Sequence, residues 1–150
     1  MNLSWSARPF ATLTVRELHD ALRLRTDVFV VEQRCAYAEV DGQDPDAIHI
    51  LAHTSDGTLV ACARILPPHD GGLPHVGRVV VNPEHRGKGI ADTLMRFALE
   101  TLATIYGSRR SALAAQAHLS NFYGKHGYVR TGDEYPWDGI PHVDMTREAD

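Results

Sequence analysis

The stretch Val76–Leu94, VGRVVVNPEHRGKGIADTL, constrains this chain more than any other. It reads as a buried strand, a basic loop with glycines, and the start of a long helix. The strand is Val76–Val81, whose run of consecutive valines suits a pleated surface covered on both faces. Asn82-Pro83 ends it, because proline cannot donate to a sheet ladder and disfavours helix at the residue before it. Arg86-Gly87-Lys88-Gly89-Ile90-Ala91 follows, and helical spacing then runs through Ile90, Leu94, Phe97, Ala98, Leu102 and Ile105. The first amides of a helix lack intrahelical partners, so a loop that presents them is an anion site. Glycines let a phosphate approach the backbone, and Arg86 and Lys88 add positive charge. The loop is not of the Walker type, since the long glycine spacing is missing and no Ser or Thr follows Lys88. The stretch predicts a ligand that carries a pyrophosphate.

The 150 residues suit one domain, 1–150, large enough to bury a core without disulfide or metal staples. Fifteen Lys and Arg against 19 Asp and Glu give a formal charge of −4, which argues against a nucleic-acid binder. The basic loop is then a local site in a mildly acidic protein. Cys35 and Cys62 have no metal-ligand spacing and form no disulfide framework, so free thiols in a reducing compartment are expected. Met1–Phe10 lacks an apolar signal core, and no stretch approaches the length of a membrane span. A cytoplasmic protein with no membrane partner is the expectation.

Along the chain, Thr14 and Glu17 form a capping-box pattern that predicts a first helix over Val15–Arg25, with Leu13 able to staple onto Leu18. Val28–Val31 fits either a second short helix or an extended segment. Cys35–Pro45 is rich in turn formers and acids and reads as a loop. Ala47–Thr54 and Thr58–Leu66 are two strands joined at Ser55-Asp56-Gly57, and Pro67–Pro74 is a surface loop. Gly107 suits a C-cap for the long helix. Ser111–Ala117 is a small-residue strand, and Ser120 is placed to cap a short helix stopped by Gly127. Tyr128–Thr131 and Ile140–Thr146 are further strands, the latter with Pro141 on an edge. This order predicts an α/β or α+β fold with a mixed sheet.

Two motifs in this order carry a resemblance. VNPEHRGKGIADTLM resembles the acetyl-CoA-binding motif of GCN5-related N-acetyltransferases (GNATs), Gln/Arg-x-x-Gly-x-Gly/Ala, with Arg86, Gly89 and Ala91 at the matching positions. Asn121–Tyr128, NFYGKHGY, is similar to the family's later helix, which usually ends FY…GF. Leu24–Gln33, LRTDVFVVEQ, followed by Cys35, Tyr37, Asp41-Gly42, Asp44 and His49, looks like the ElaA branch. So do AQAHL at Ala115–Leu119 and DGIPH at Asp138–His142. The similarity covers nearly the whole chain. One position departs: many members carry an asparagine seven before the tyrosine, and here it is Gln116, whose amide can make similar bonds.

The resemblance implies a single GNAT-like α/β domain whose parallel central strands splay apart, leaving a wedge for a pantetheine arm. It implies acetyl-CoA as co-substrate, no metal, and acetyl transfer to an amine. Backbone groups near Val79 and Val81 would bond the arm and the thioester carbonyl. The amides of Arg86, Gly87, Lys88, Gly89 and Ala91 would hold the pyrophosphate, with Gln116 and Asn121 also on the coenzyme. Tyr123 falls at the family's general-acid position, against the competing reading of a core aromatic on an amphipathic helix. For a general base, Glu32, His49, His75 and His118 stay open. Arg25, Glu32, Gln33 and His49 are assigned to the acceptor side, whose pocket would be built from Arg25–His49, the Pro67–Pro74 loop and the C-terminal hairpin. Asp41 and Asp44 either join them in a site for cationic amines or organise their own loop. His49 and His53 share a strand face but lack a third zinc ligand. The acceptor is a small-molecule or peptide amine, and homodimerisation stays open. Two other functions compete: a non-catalytic acyl-CoA binder or sensor, and an acyl-homoserine lactone synthase, suggested by Arg25–Phe29 (RTDVF).

Overall fold

A computed structural model describes residues 2–150 of the chain. In order, its elements are β1 (Ser4–Pro9), α1 (Val15–Arg25), β2 (Ile48–His53), β3 (Leu59–Leu66), β4 (His75–Val81), α2 (Ile90–Tyr106), β5 (Ser111–Gln116), α3 (Ser120–Gly124), β6 (Val129–Arg130), β7 (Tyr135–Trp137) and β8 (Ile140–Arg147). The eight strands form one mixed sheet in the order β1-β2-β3-β4-β5-β8-β6, with β7 also on β8. β4 and β5 run parallel, and the other neighbours are antiparallel.

Helices cover both faces of the centre of this sheet, and strand alternation sorts the core accordingly. Ile50, Ala52, Ala61, Ala63 and Val76 pack with Leu94, Met95, Ala98 and Leu102 of α2. Leu51, Cys62 and Val80 point the other way, onto Ala21 and Leu24 of α1 and onto Val28. This double coverage is why β3 and β4 read as near-continuous apolar runs. Ile105, placed on the buried face by its spacing, is 45% exposed in the last turn of α2. Among the described residues, no helix is long and apolar enough to cross a membrane.

The α1 start follows the sequence pattern closely. Thr14 Oγ1 accepts from the Glu17 amide at 3.0 Å, and Glu17 Oε1 accepts from the Thr14 amide at 2.9 Å. A Thr14→Ala variant is expected to lose about 1 kcal/mol. For a chain of this size that lowers Tm by about 2–4 °C, readable by far-UV circular dichroism. An unchanged Tm would mean that the cap is redundant with packing.

Beyond Arg25 the chain keeps winding, but more widely. Thr26–Glu32 is a π-helix, closed by bonds from the Gln33 amide to the Val28 carbonyl and from the Cys35 amide to the Val30 carbonyl, both 3.1 Å. Of the two alternatives for Val28–Val31, the helical one is the observed state, with an extra residue per turn. Two strands lie outside the expected set: β1, where Ser4–Pro9 pairs with β2, and β7. Ser120 is the first residue of α3 rather than its cap, which is Leu119, and its hydroxyl accepts from Arg130. Pro141 lies beyond the reach of β5, opposite Pro136 of β7.

Candidate active site

The site begins with an irregularity in β4. Between Cys62↔Val80 and Arg64↔Gly77, β3 advances two residues while β4 advances three. The additional residue is accommodated at Arg78, whose φ of 49° lies in the left-handed region. This β-bulge bends the strand, as bulges do beside functional sites. β4 pairs with β5 only at His75↔Ala112. From Val76 onward the two parallel strands have no common ladder, and the gap between them is the site.

Below the end of β4, Asn82 Oδ1 accepts from the Glu84 amide at 3.0 Å and holds the short turn Pro83–His85. Gly87 and Gly89 then take φ values of 79° and 75°, with nothing within 4 Å of a Cβ built on either. Gly89 is the N-cap of α2 and, having no side chain, leaves the helix's first amides without a side-chain cap. Arg86 reaches across to Glu32 of the π-helix through two bonds of 2.8 and 2.9 Å. That guanidinium holds the Glu32 carboxyl below its ordinary pKa.

Two clefts open on this gap. The larger, about 520 Å³, runs from Val81, Arg86, Gly87, Gly89 and Ala91 to Tyr123. The smaller, about 120 Å³, lies between Val76–Val79, Leu113 and the Trp137–His142 hairpin. Phe29, Gln33, Val79, Gln116, Leu119 and Tyr123 line both. Gln116 Nε2 donates to Gln33 Oε1 at 3.1 Å, tying β5 to the π-helix across this common wall. Tyr123 is 8% exposed, edge-on to Tyr128 with ring centroids 6.4 Å apart. Burial, with a smaller contribution from Tyr128, pushes its phenol up to about 12. Its hydroxyl makes no hydrogen bond to another described residue.

A GNAT acetyltransferase domain model matches residues 22–149. The chain is 42% identical to protein ElaA of Escherichia coli, with 98% of this chain and 97% of ElaA covered. It is 41% identical to a UPF0039 protein of Schizosaccharomyces pombe over 98% of each chain. This chain belongs to the GNAT family, on its ElaA branch. Among solved structures, an acyl-CoA N-acyltransferase from Pseudomonas aeruginosa superposes with a TM-score of 0.92 at 42% identity, covering 97% of this chain and 99% of that one. E. coli ElaA gives the same TM-score at 40% identity, covering 98% and 100%. A CoA-dependent acyl-homoserine lactone synthase, BjaI, has a TM-score of 0.82 at 19% identity, a likeness of fold.

This GNAT chain brings most of the expected coenzyme residues together and leaves several others out. Val79, Val81, Arg86, Gly87, Gly89, Ala91 and Gln116 line the larger cleft, whereas exposed Lys88 and Asn121 line neither. Glu32 and His118 line only the larger cleft, and His75 lines neither. The expectation for Arg25 and His49 needs correction. Arg25 is 2% exposed and His49 3%, and neither reaches a cleft.

Arg25 bonds Glu39 Oε2 at 2.6 Å and Asp44 Oδ1 at 2.8 Å, while His49 Nε2 lies 2.9 Å from the Asp44 carbonyl oxygen. Burial holds the His49 imidazole below its usual pKa. Asp41 and Asp44 are likewise consumed. Arg64 bonds both of them, and Arg78 of the bulge bonds Glu39 at 2.8 Å. The acids of the Cys35–Pro45 loop thus organise that loop instead of offering a cationic-amine site. Of the smaller cleft's own residues, Arg78 carries no role in the sequence reading, while Trp137 and His142 enter it only as part of the C-terminal hairpin. The Asp138–His142 similarity was the available signal for the last of them.

Proposed function

We propose that this chain transfers an acetyl group from acetyl-CoA to an amine by direct attack in a ternary complex. The observation that carries this reading is the common wall, where one buried tyrosine faces both a cleft ending in uncapped helix amides and a second, separate cleft. The larger cleft takes the coenzyme: its diphosphate meets Arg86 and the amides at Gly87–Ala91, and its arm runs along Val79–Val81 beside Gln116. The acceptor enters from the smaller cleft. The amine's lone pair attacks the thioester carbonyl, and an unpaired amide on the β4 edge stabilises the oxyanion, a contact typically worth a few kcal/mol. The C–S bond then breaks, and Tyr123 protonates the departing thiolate. A phenol pushed up to about 12 is protonated at neutral pH and so holds the proton this step needs. The protein acts as one unit, 1–150, in the cytoplasm. Two buried cysteines without a disulfide suit that compartment.

The test is release of CoA thiol from acetyl-CoA with a panel of primary amines. Turnover with at least one amine is expected, and Tyr123→Phe is expected to lower kcat about 10²-fold, the low end for a general acid, with acetyl-CoA affinity unchanged. An unaltered rate removes Tyr123 as the acid. Stabilisation by acetyl-CoA with no turnover of any amine would make the chain an acyl-CoA binder instead.

A further inference from the structure

The smaller cleft contains one imidazole, and its surroundings define its chemistry. Asp138 and Gly139 both have positive φ, 53° and 78°, and form the two-residue turn between β7 and β8. That turn fixes the register Trp137↔Ile140 and Tyr135↔His142. His142 is at the same time opposite Gln116 of β5, a residue of the common wall. Its ring stacks on Tyr135 at 27° with centroids 6.2 Å apart, and lies 5.3 Å from the Trp137 ring. Nδ1 is 2.8 Å from the Ile140 carbonyl oxygen. A carbonyl can only accept, so Nδ1 carries the hydrogen, and Nε2 of the neutral ring holds a free lone pair. Nε2 has no hydrogen-bond partner among the described residues. Turn, stack and carbonyl together set the ring's tautomer and its direction.

We propose that His142 is the general base that deprotonates the acceptor amine, a role that rests on the transferase reading above. The rival bases are committed or distant. Glu32 is paired to Arg86, His49 is buried away from both clefts, His75 lines neither, and His118 lines only the coenzyme side. His142 Nε2 takes one proton from the ammonium, which frees the lone pair that forms the C–N bond. As the tetrahedral adduct collapses, the C–S pair leaves on sulfur and takes the Tyr123 proton. The second proton lost by nitrogen restores Tyr123 through water, and the proton on His142 passes to solvent. The sum is ammonium plus thioester giving amide, thiol and one proton.

The other titratable or charged groups facing this region are Cys35, Tyr37, Arg78, Tyr123, Tyr135 and Asp138. The experiment must therefore read His142 itself. With acetyl-CoA and the primary-amine panel, wild-type kcat is expected to rise with pH along a one-proton limb, because the unprotonated ring is the active form. His142→Asn keeps an N–H for the Ile140 carbonyl but has no base. It should lower kcat about 10²-fold, abolish that limb and leave the KM for acetyl-CoA unchanged. Added imidazole should restore part of the rate of His142→Ala, which a merely structural histidine would not allow. If His142→Asn keeps the wild-type limb or the wild-type kcat, the role is overturned while the transferase reading stands. If the wild type binds acetyl-CoA and acetylates no amine, the transferase reading falls, and this role with it.

Discussion

A Gly89→Glu variant is expected to fold normally and to bind acetyl-CoA about a thousandfold more weakly. Two costs act on different states. The residue is the N-cap of α2 at a φ of 75°, and a side chain in that conformation costs about 1–2 kcal/mol of stability. A Cβ there meets nothing within 4 Å, so the fold has room for it. The larger cost falls on the ligand. A carboxylate placed about 4 Å from a phosphate oxygen at an effective dielectric constant near 20 adds about 4 kcal/mol of repulsion, which is about a thousandfold in affinity. It also crowds the amides of the first turn. Gly89→Ala has the same backbone strain without the charge, and should weaken binding by less than about tenfold. Isothermal titration calorimetry on both variants separates the effects. Acetyl-CoA affinity unchanged in the glutamate variant would remove the loop as the anion site.

That prediction comes from a stretch whose sequence could be read locally. Strand, loop and helix follow one another within Val76–Leu94, and proline, glycine and helical spacing each act on their own neighbourhood. The same holds for the Thr14–Glu17 capping box, whose two bonds span three residues. What could not be read depends on partners far away in the chain. In β1, Trp5 and Ala7 alternate with Ser4, Ser6 and Arg8 and pack on the α2 side of the core. The run is short, only half-buried and closed by Pro9, and the ladder to β2 makes it a strand. The smaller cleft joins Cys35 of a loop, Arg78 of β4 and Trp137 of β7, residues far apart in the chain. No periodicity encodes that meeting. The bulge at Arg78 is equally silent, since nothing in Gly-Arg-Val says that arginine will adopt a positive φ.

The acidic loop shows how such distance misleads. From sequence, Asp41 and Asp44 fit either a site for cationic amines or the organisation of their own loop, and Glu39 lies beside them. In the fold they meet three guanidinium groups from α1, β3 and β4, namely Arg25, Arg64 and Arg78. Tyr37 adds a bond from its hydroxyl to Glu39 at 2.7 Å, and Arg78 lies over its ring at 5.5 Å. The formal charges cancel. The network therefore fixes the bulged residue of β4 to the loop that walls the smaller cleft, and contributes to the site by holding its shape.

Arg25→Met tests that network, and a loss of about 3–5 kcal/mol at pH 7 is expected, the usual cost of removing one partner from a buried ion pair. Methionine replaces the aliphatic stem, so most of the loss is electrostatic. Asp44 keeps only Arg64 as a charged partner, and Glu39 keeps only Arg78. The pH dependence distinguishes this from lost packing. Burial opposes ionisation of Asp44, but bonds and charge from Arg25 and Arg64 outweigh it and hold its carboxyl below the ordinary range. Asp41 is held well below that range chiefly by Arg64. Carboxyls depressed in the folded state stabilise it above their unfolded pKa, near 4, and that stability is lost as pH falls. Arg25→Met removes part of the depression at Asp44, so its stability should fall less steeply with acid than the wild type's. Urea unfolding of both proteins at pH 7 and at about pH 3, below the unfolded carboxyl pKa and on the way down to the depressed folded values, reads this as a gap that narrows with acid. An equal gap at both pH values would assign the loss to the packing of the arginine stem. Arg25→Lys, which keeps the charge but not the two-edged fork, should fall between the two.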